Sequence, residues 1–79
     1  MRLDKFLKES RIIKRRTVAK EAGDAGKISI NDKIAKPSDN VVSGDIITIN
    51  FSNNEIKVKV INDGENLVNP KPEELYERL

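Results

Sequence analysis

The sequence predicts an α+β domain: two N-terminal helices packed on a small, mainly antiparallel, twisted sheet of about four to five strands, with a short C-terminal tail. Three observations predict this class. Apolar residues near the N-terminus recur with helical spacing, the apolar period changes to two from Lys27 onward, and turn residues separate the later apolar runs.

The first helix is predicted from a short apolar stripe. Leu3, Phe6 and Leu7 have the spacing i, i+3, i+4, which places them on one helical face. Ser10 marks a break after this helix. The β-branched pair Ile12 and Ile13 then fills the junction with the next helix.

The second helix is predicted to have an unusually small apolar face, which would allow close packing. Thr17 lies near its start, and Gly23 and Gly26 weaken and end it, with Gly26 the better C-terminal cap. The face consists of Val18, Ala19, Ala22 and Ala25.

Short strands follow, separated by turns. Ile28 and Ile30 alternate with Ser29, and Asn31-Asp32 is a turn into a second short strand at Ile34. The remaining segments are a loop at 36–39, a turn at 43–45, and two longer strands at 46–51 and 55–61 joined by 52–54. In the last strand apolar and charged residues alternate, which predicts a sheet with one wet face.

The composition changes after residue 62. We therefore predict one domain over residues 1–62 and an acidic tail over residues 63–79. Leu75 and Leu79, at i and i+4, would dock one helical turn on the domain, or the tail would fray.

Length and composition exclude several functional classes. A chain of 79 residues forms one small domain, which buries only ~60% of the surface of its unfolded chain, so a deep active site is not expected. Cysteine and histidine are both absent, which removes disulfides, thiolate metal sites and the commonest general base. Scattered carboxylates and the lack of a phosphate-binding glycine loop predict no catalysis, no metal and no cofactor. No apolar run approaches the ~20 residues of a membrane span, and the charged N-terminus is unlike a signal peptide, so we expect a cytoplasmic protein without membrane contact.

The charge distribution points to a polyanion. The net charge is only +2, but residues 1–36 hold eleven Lys or Arg against five Asp or Glu, whereas residues 37–79 hold four against eight. Arg16 and Lys20, at i and i+4, would repel each other by a few tenths of a kcal/mol, which suggests a partner. The candidate basic surface comprises Arg2, Lys5, Arg11, Lys14, Arg15, Arg16 and Lys20. From charge alone, an ordinary solvated face explains these residues as well as an RNA-binding surface does.

Ordered motifs decide between these two interpretations. RLDKFL at 2–7, SRIIKRRTVAKE at 10–21, GKISIN at 26–31, KPS at 36–38 and GDIITI at 44–49 resemble, in this order, the S-four-type (alpha-L) RNA-binding domain. The resemblance covers about the first two thirds of the chain. It implies the fold predicted above and favours RNA over a solvated face.

Closer still, a short chain that opens MRLDKFLK resembles the bacterial branch of the fifteen-kilodalton heat-shock protein and RqcP. That resemblance implies a factor that binds stalled large ribosomal subunits through large-subunit ribosomal RNA and peptidyl-site tRNA. It also implies that the factor helps an RqcH-like partner add alanine tails to stalled chains. The acidic end, with Glu73, Glu74 and Glu77, departs from the long basic extension of the heat-shock protein and favours the RqcP side.

Further site residues come from the turns and from this resemblance. Ser10 and Thr17 are predicted local caps, and because a helix N-terminus also offers N–H groups to an anion, both are included among the candidate RNA-binding residues. Asp4 is predicted to be a favourable charge in the first helical turn or a salt bridge that holds a nearby arginine. Four residues are turn residues on their own but, by resemblance, line the strand-side edge of the RNA groove: Asn31, Lys33, Lys36 and Ser38.

Three alternatives remain open at this point. The first is a general factor for ribosome recycling or assembly that binds ribosomal RNA. The second is a DNA-binding helix-turn-helix regulator, although we expect no DNA binding because base-reading side chains and a dimer stripe are lacking. The third is a targeting module that acts in trans with an RNA-modifying enzyme. A monomer is assumed. Arg and Lys are expected to contact phosphate, because the few aromatic residues do not favour base stacking.

Overall fold

The computed structural model describes residues 1–51, 54–62 and 71–79 and shows helices packed on one antiparallel sheet. The helices are α1 (Leu3–Glu9), α2 (Arg16–Asp24) and α3 (Pro72–Leu75). The strands are β1 (Ile28–Ile30), β2 (Lys33–Ile34), β3 (Ile46–Asn50), β4 (Glu55–Val60) and β5 (Tyr76–Arg78). The strand order is β2-β1-β3-β4-β5, and every neighbouring pair is antiparallel. The predicted α+β class is confirmed.

The core lies between the helices and one face of the sheet. Leu3, Phe6 and Leu7 are completely buried, as the spacing predicts, and Ile13 closes the junction between α1 and α2. The sheet contributes alternate residues of its strands: Ile28, Ile47, Ile49, Val58 and Val60. Because this single cluster joins both helices to the sheet, it fixes the relative positions of the basic segments.

Helix α2 ends in a Schellman motif. The N–H of Lys27 donates to the carbonyl of Ala22 at 3.0 Å, and the N–H of Gly26 donates to that of Gly23 at 3.1 Å. Gly26 has φ +73°, a conformation that glycine adopts without a Cβ penalty, so its predicted capping role is confirmed. Gly23 is the penultimate residue of α2 and lies in its last turn, whereas the C-terminal cap is Gly26.

The predicted small face of α2 is only partly buried. Ala19 is buried in the core and Ala22 packs against it, whereas Val18 and Ala25 are exposed. The core therefore covers a narrower strip of α2 than the run of small residues indicates.

The turns follow the predicted residues. Asn31 and Asp32 have φ 51° and 67°, which are the positive values of a type I′ hairpin turn between β1 and β2. In β4 the alternation is confirmed, because Val58 and Val60 are buried while Lys57 and Lys59 are exposed. The structure ends β3 and β4 one residue earlier than predicted, and residues 52 and 53 of the predicted joining turn lie outside the described residues.

The C-terminal segment joins the same sheet. Leu75 in α3 is completely buried, so the docked alternative is correct for residues 71–79, and residues 63–70 lie outside the described residues. Tyr76 and Arg78 pair with Val60 and Val58, which adds a strand that the sequence pattern does not predict. Leu79 is 59% exposed and does not take part in the docking that the i, i+4 spacing predicts.

Candidate nucleic-acid interface

A buried carboxylate joins two arginines at the surface. Nε of Arg2 lies 3.3 Å from Oδ1 of Asp4, and Nε of Arg16 lies 3.4 Å from Oδ2. Each arginine also contacts the other carboxylate oxygen of Asp4 through Nη2: Nη2 of Arg2 is 3.4 Å from Oδ2, and Nη2 of Arg16 is 3.5 Å from Oδ1. The Asp4 side chain is 4% exposed, whereas those of Arg2 and Arg16 are 53% and 50% exposed. We call these three residues the arginine cluster.

Among the described residues, Asp4 occupies only some of the N–H donors of the two arginines. A guanidinium group has five N–H donors in a planar fork, and Asp4 engages only the Nε and Nη2 side of each. The remaining N–H groups belong to half-exposed side chains that are already held in place. Two restrained guanidinium groups beside each other form a geometry suited to bidentate contacts with phosphate.

The loop at residues 36–39 holds the start of α1. The N-terminus of this helix has no side-chain cap. Instead, the N–H of Leu3 donates to the carbonyl of Asp39 at 2.8 Å, and the N–H of Asp4 donates to that of Pro37 at 3.1 Å. These bonds satisfy donors that a helix N-terminus would otherwise leave unpaired, and they place the loop against the cluster.

The N-terminal residue extends this attachment. The N–H of Val41 donates to the carbonyl of Met1 at 2.8 Å, and the Met1 ammonium group donates to Oδ1 of Asn40 at 2.9 Å. Arg2 forms an isolated antiparallel bridge with Asn40. The backbone that carries Arg2 is therefore fixed from both sides.

The other predicted basic residues of the two-helix unit are exposed: Lys5, Arg11, Lys14, Arg15 and Lys20. Arg15 occupies the N-cap position of α2, and Lys20 lies one turn after Arg16. Arg11 has φ 62°, a backbone conformation that glycine and asparagine adopt far more readily than arginine does.

The predicted repulsion between Arg16 and Lys20 has local compensation. Arg16 pairs with Asp4, and Nζ of Lys20 lies 3.8 Å from Oδ2 of Asp24. Each cation of this i, i+4 pair thus has its own acid. The premise of an uncompensated pair is therefore not met, and the case for a ligand rests on the geometry of the arginine cluster.

Ser10 and Thr17 have different environments. Ser10 is completely buried at the C-cap of α1, where its hydroxyl donates to the carbonyl of Leu7 at 3.1 Å. Its predicted capping role is confirmed, and burial separates it from any phosphate. Thr17 is exposed on the second residue of α2, but Arg15 is the N-cap and makes no side-chain cap, so the predicted capping role of Thr17 is wrong.

The strand-side candidates do not all lie together. The Asn31 amide donates to Oδ1 of Asp45 at 3.1 Å and accepts from the N–H of Ile46 at 3.0 Å, so this side chain joins the hairpin turn to β3. Lys33 is exposed on the edge strand β2. Lys36 and Ser38 are exposed in the loop that holds the start of α1. The structure therefore brings the latter two next to the arginine cluster, while Asn31 and Lys33 lie at the hairpin.

A separate groove of about 410 Å³ lies between α2 and the end of β3. Val18 and Phe51 line it, with Glu21 and Lys27 among its polar residues. Glu21 is the single carboxylate in this lining as far as the described residues show, so the groove presents no carboxylate pair for acid–base chemistry.

Within residues 1–51, 54–62 and 71–79, no three acidic side chains are grouped to hold a metal ion. None of the helices found in these ranges has the length and apolar character needed to cross a bilayer.

Sequence reasoning identified both arginines and offered a salt bridge of Asp4 to a nearby arginine, which the structure confirms, but it did not show that one carboxylate joins the two. The pattern offered Asp4 as a salt-bridge partner of one arginine, and only the packing of α1 against α2 shows that it serves two. The role of Pro37 was missed altogether, because its carbonyl reaches α1 from a distant part of the chain.

Comparison with known proteins identifies the family of this chain. The S4 domain matches residues 1–47, which carry the arginine cluster. The RQC P-site tRNA stabilizing factor of Listeria innocua is 47% identical over 76 residues, covering 96% of this chain and 83% of the relative. The Bacillus subtilis protein of the same name is 57% identical over 60 residues, covering 76% of this chain and 70% of the relative.

The fold has a solved counterpart. The trimeric structure of Vibrio cholerae Heat Shock Protein 15 superposes with a TM-score of 0.81 at 32% identity, covering 100% of this chain and 81% of the other. A domain match over more than half of the chain and close relatives over nearly all of it lead to one assignment. The chain belongs to the S4 domain family of RNA-binding proteins and, within it, to the family of RQC P-site tRNA stabilizing factors, the RqcP branch.

Proposed function

We propose that this protein is a non-catalytic RNA-binding factor of ribosome-associated quality control. It binds large ribosomal subunits that are obstructed by a peptidyl-tRNA, and it contacts both large-subunit ribosomal RNA and the tRNA in the peptidyl site. By holding that tRNA, it supports an RqcH-like partner that adds alanine tails to the stalled chain in the cytoplasm. The names of the relatives support the tRNA and quality-control parts of this proposal.

The observation that carries the proposal is the arginine cluster. Asp4 holds the guanidinium groups of Arg2 and Arg16 side by side while each remains half exposed. Structured RNA is read mainly by shape, through phosphate and 2′-hydroxyl contacts, and a restrained pair of forks suits that task. Exposed basic residues on α1, on α2 and in the connecting loop extend the surface along a backbone.

Aromatic side chains do not contribute to this surface. Phe6 is completely buried in the core, Phe51 lines the groove on another side of α2, and Tyr76 is partly buried on β5. Base stacking on aromatic rings, which is typical of single-strand binders, therefore has no platform beside the arginine cluster. The contacts expected are those of charge and backbone shape.

A reconstituted tailing reaction tests the proposal. Purified large subunits carrying a peptidyl-tRNA are incubated with alanyl-tRNA and the RqcH-like partner, with and without this protein, and tail length is read on a gel. We expect longer tails when the protein is present, and we expect co-sedimentation with obstructed subunits. Unchanged tail length together with equal binding to empty and obstructed subunits would favour a general recycling or assembly factor instead.

A duplex-DNA column tests the DNA-binding alternative. We expect the protein to elute at low salt without sequence preference. Sequence-specific retention on DNA, without sedimentation with ribosomal subunits, would contradict the proposed function.

A further inference from the structure

Gly23 makes an unusually close approach to Pro37. A Cβ atom at Gly23 would lie 2.7 Å from Cγ and 2.8 Å from Cδ of Pro37, and 3.1 Å from its backbone nitrogen. These separations are much shorter than a carbon–carbon van der Waals contact of about 3.5–4.0 Å. Both residues are buried. Glycine weakens a helix interior, so its presence here corresponds to a contact that a side chain would prevent.

The residue that Gly23 contacts also holds the start of α1. The carbonyl of Pro37 accepts the N–H of Asp4 at 3.1 Å, and the carbonyl of Asp39 accepts that of Leu3 at 2.8 Å. A shift of this loop away from α2 would therefore pull on the first turn of α1. The displaced residue would be Asp4.

Asp4 in turn contacts α2. Its carboxylate contacts the guanidinium of Arg16, the first residue of the helix that contains Gly23. Gly23, Pro37, Asp4 and Arg16 thus form a closed chain of contacts between α2, the loop and α1. The ion-pair distances of 3.3–3.4 Å leave little room for a shift before the pairing with Asp4 is lost.

We propose that Gly23 is a positioning residue for RNA binding: by allowing Pro37 to pack directly on α2, it sets the placement of Asp4 and hence of the two exposed arginines. The inference rests on the proposed function, because it concerns the same RNA surface. It assigns to a buried glycine, remote in sequence from Arg2 and Asp4, a role that a charge pattern does not reveal.

The test compares three variants with the wild-type protein by sedimentation with purified large ribosomal subunits over a series of KCl concentrations. We expect Gly23→Ala to bind about tenfold more weakly, the effect of losing one charge-assisted contact, and to lower the slope of log affinity against log salt by about one unit. Gly23→Ala/Pro37→Ala removes the ring atoms that the new methyl meets, and we expect it to recover most of the affinity and the slope.

Gly44→Ala is the matched control. Gly44 has φ +96°, so an alanine there strains the fold, but within the described part of the chain no atom beyond Gly44 and its two chain neighbours lies within 4 Å of the added methyl. We expect lower thermal stability with wild-type affinity and slope when binding is measured well below the melting temperature. Equal weakening of binding by Gly44→Ala and Gly23→Ala would overturn the inference, because general destabilisation would then explain both.

The remaining outcomes are also decisive. Wild-type affinity and slope for folded Gly23→Ala would overturn the inference, as would a folded double variant that binds no better than Gly23→Ala. If Gly23→Ala does not fold, the double variant decides: restored folding and binding support the contact, and restored folding without binding contradicts it. Failure of the wild-type protein itself to sediment with large subunits would contradict the proposed function rather than this inference.

Discussion

The carboxylate of Asp4 lies between the guanidinium groups of Arg2 and Arg16, with Nε–O distances of 3.3 and 3.4 Å. The acid is buried and the bases are half exposed, so the charges are not equivalent. Asp4 faces the protein and restrains the arginines, whereas the arginines face solvent and any polyanion there. The first prediction follows from this asymmetry.

Asp4→Asn separates geometry from net charge. The substitution makes the protein more positive, which by itself strengthens attraction to RNA. We nevertheless expect weaker binding to large subunits, because a neutral amide cannot hold two guanidinium groups. Loss of these contacts to half-exposed partners also lowers the free energy of unfolding by about 1 kcal/mol in urea titrations.

Asp24→Asn is the control for that experiment. Asp24 pairs with Lys20 at 3.8 Å, and both side chains are well exposed. The change in net charge is the same, but the arginine cluster is untouched, so we expect equal or tighter binding. An Asp4→Asn variant that binds as tightly as Asp24→Asn would show that the cluster geometry is unimportant.

Arg2→Gln and Arg16→Gln test the direct contacts. Each glutamine can still donate to Asp4 but carries no charge for phosphate. We expect each substitution to weaken large-subunit binding and to lower the log–log salt slope by roughly one unit. Lys57→Gln on the exposed face of β4 removes the same charge away from the helices, and an equal effect there would indicate a diffuse charge effect rather than a site.

Arg11→Gly tests whether a strained residue is kept for its charge. Arg11 has φ 62°, a conformation that glycine adopts without penalty. We expect the substitution to leave stability within about 1 kcal/mol of wild type, or to raise it, while weakening RNA binding. Thermal melting and subunit sedimentation measure the two effects.

Asp32→Gly is the control, because it places glycine at another residue with positive φ. Asp32 has φ 67° in the hairpin turn, where Asn-Gly is the preferred pair, so stability should rise here without loss of binding. If Arg11→Gly binds RNA as tightly as Asp32→Gly does, Arg11 is a turn residue and not a ligand.

Leu75→Ala tests whether the C-terminal segment is part of the fold. Leu75 is completely buried in the core, so truncation should lower the free energy of unfolding by about 2–5 kcal/mol. Leu79→Ala, at an exposed position, should change it by less than about 0.5 kcal/mol. Similar small effects of both substitutions in urea titrations would mean that the segment is not docked in solution.

Local patterns predicted the elements that depend on local physics. The spacing of Leu3, Phe6 and Leu7 fixed the buried face of α1, and Gly26 marked the end of α2, because each depends on residues within two helical turns. The turn at Asn31-Asp32 was predictable for the same reason. The strand β5 was not, because its pairing partner β4 precedes it by more than a dozen residues and its own sequence, Tyr76–Arg78, has no strand period.

The candidate site was also predictable only in part. Its basic residues are visible in the sequence, because charge and motif order are properties of the chain itself. The pairing of Arg2 and Arg16 through one carboxylate is not visible, because it arises from the packing of two helices. Ser10 is an error of the other kind, a residue included where it does not belong. As a polar residue in a basic segment it was a candidate for RNA binding, yet it is completely buried.

Crosslinking in cells tests the central claim most directly. Tagged protein is crosslinked during translational stalling, sedimented through a gradient and recovered with its RNA for sequencing. We predict large-subunit ribosomal RNA and tRNA in the same large-subunit fractions, and their loss when Arg2 and Arg16 are both reversed in charge. Recovery of messenger or small RNA alone, or undiminished ribosomal crosslinks from the charge-reversed variant, would contradict the account.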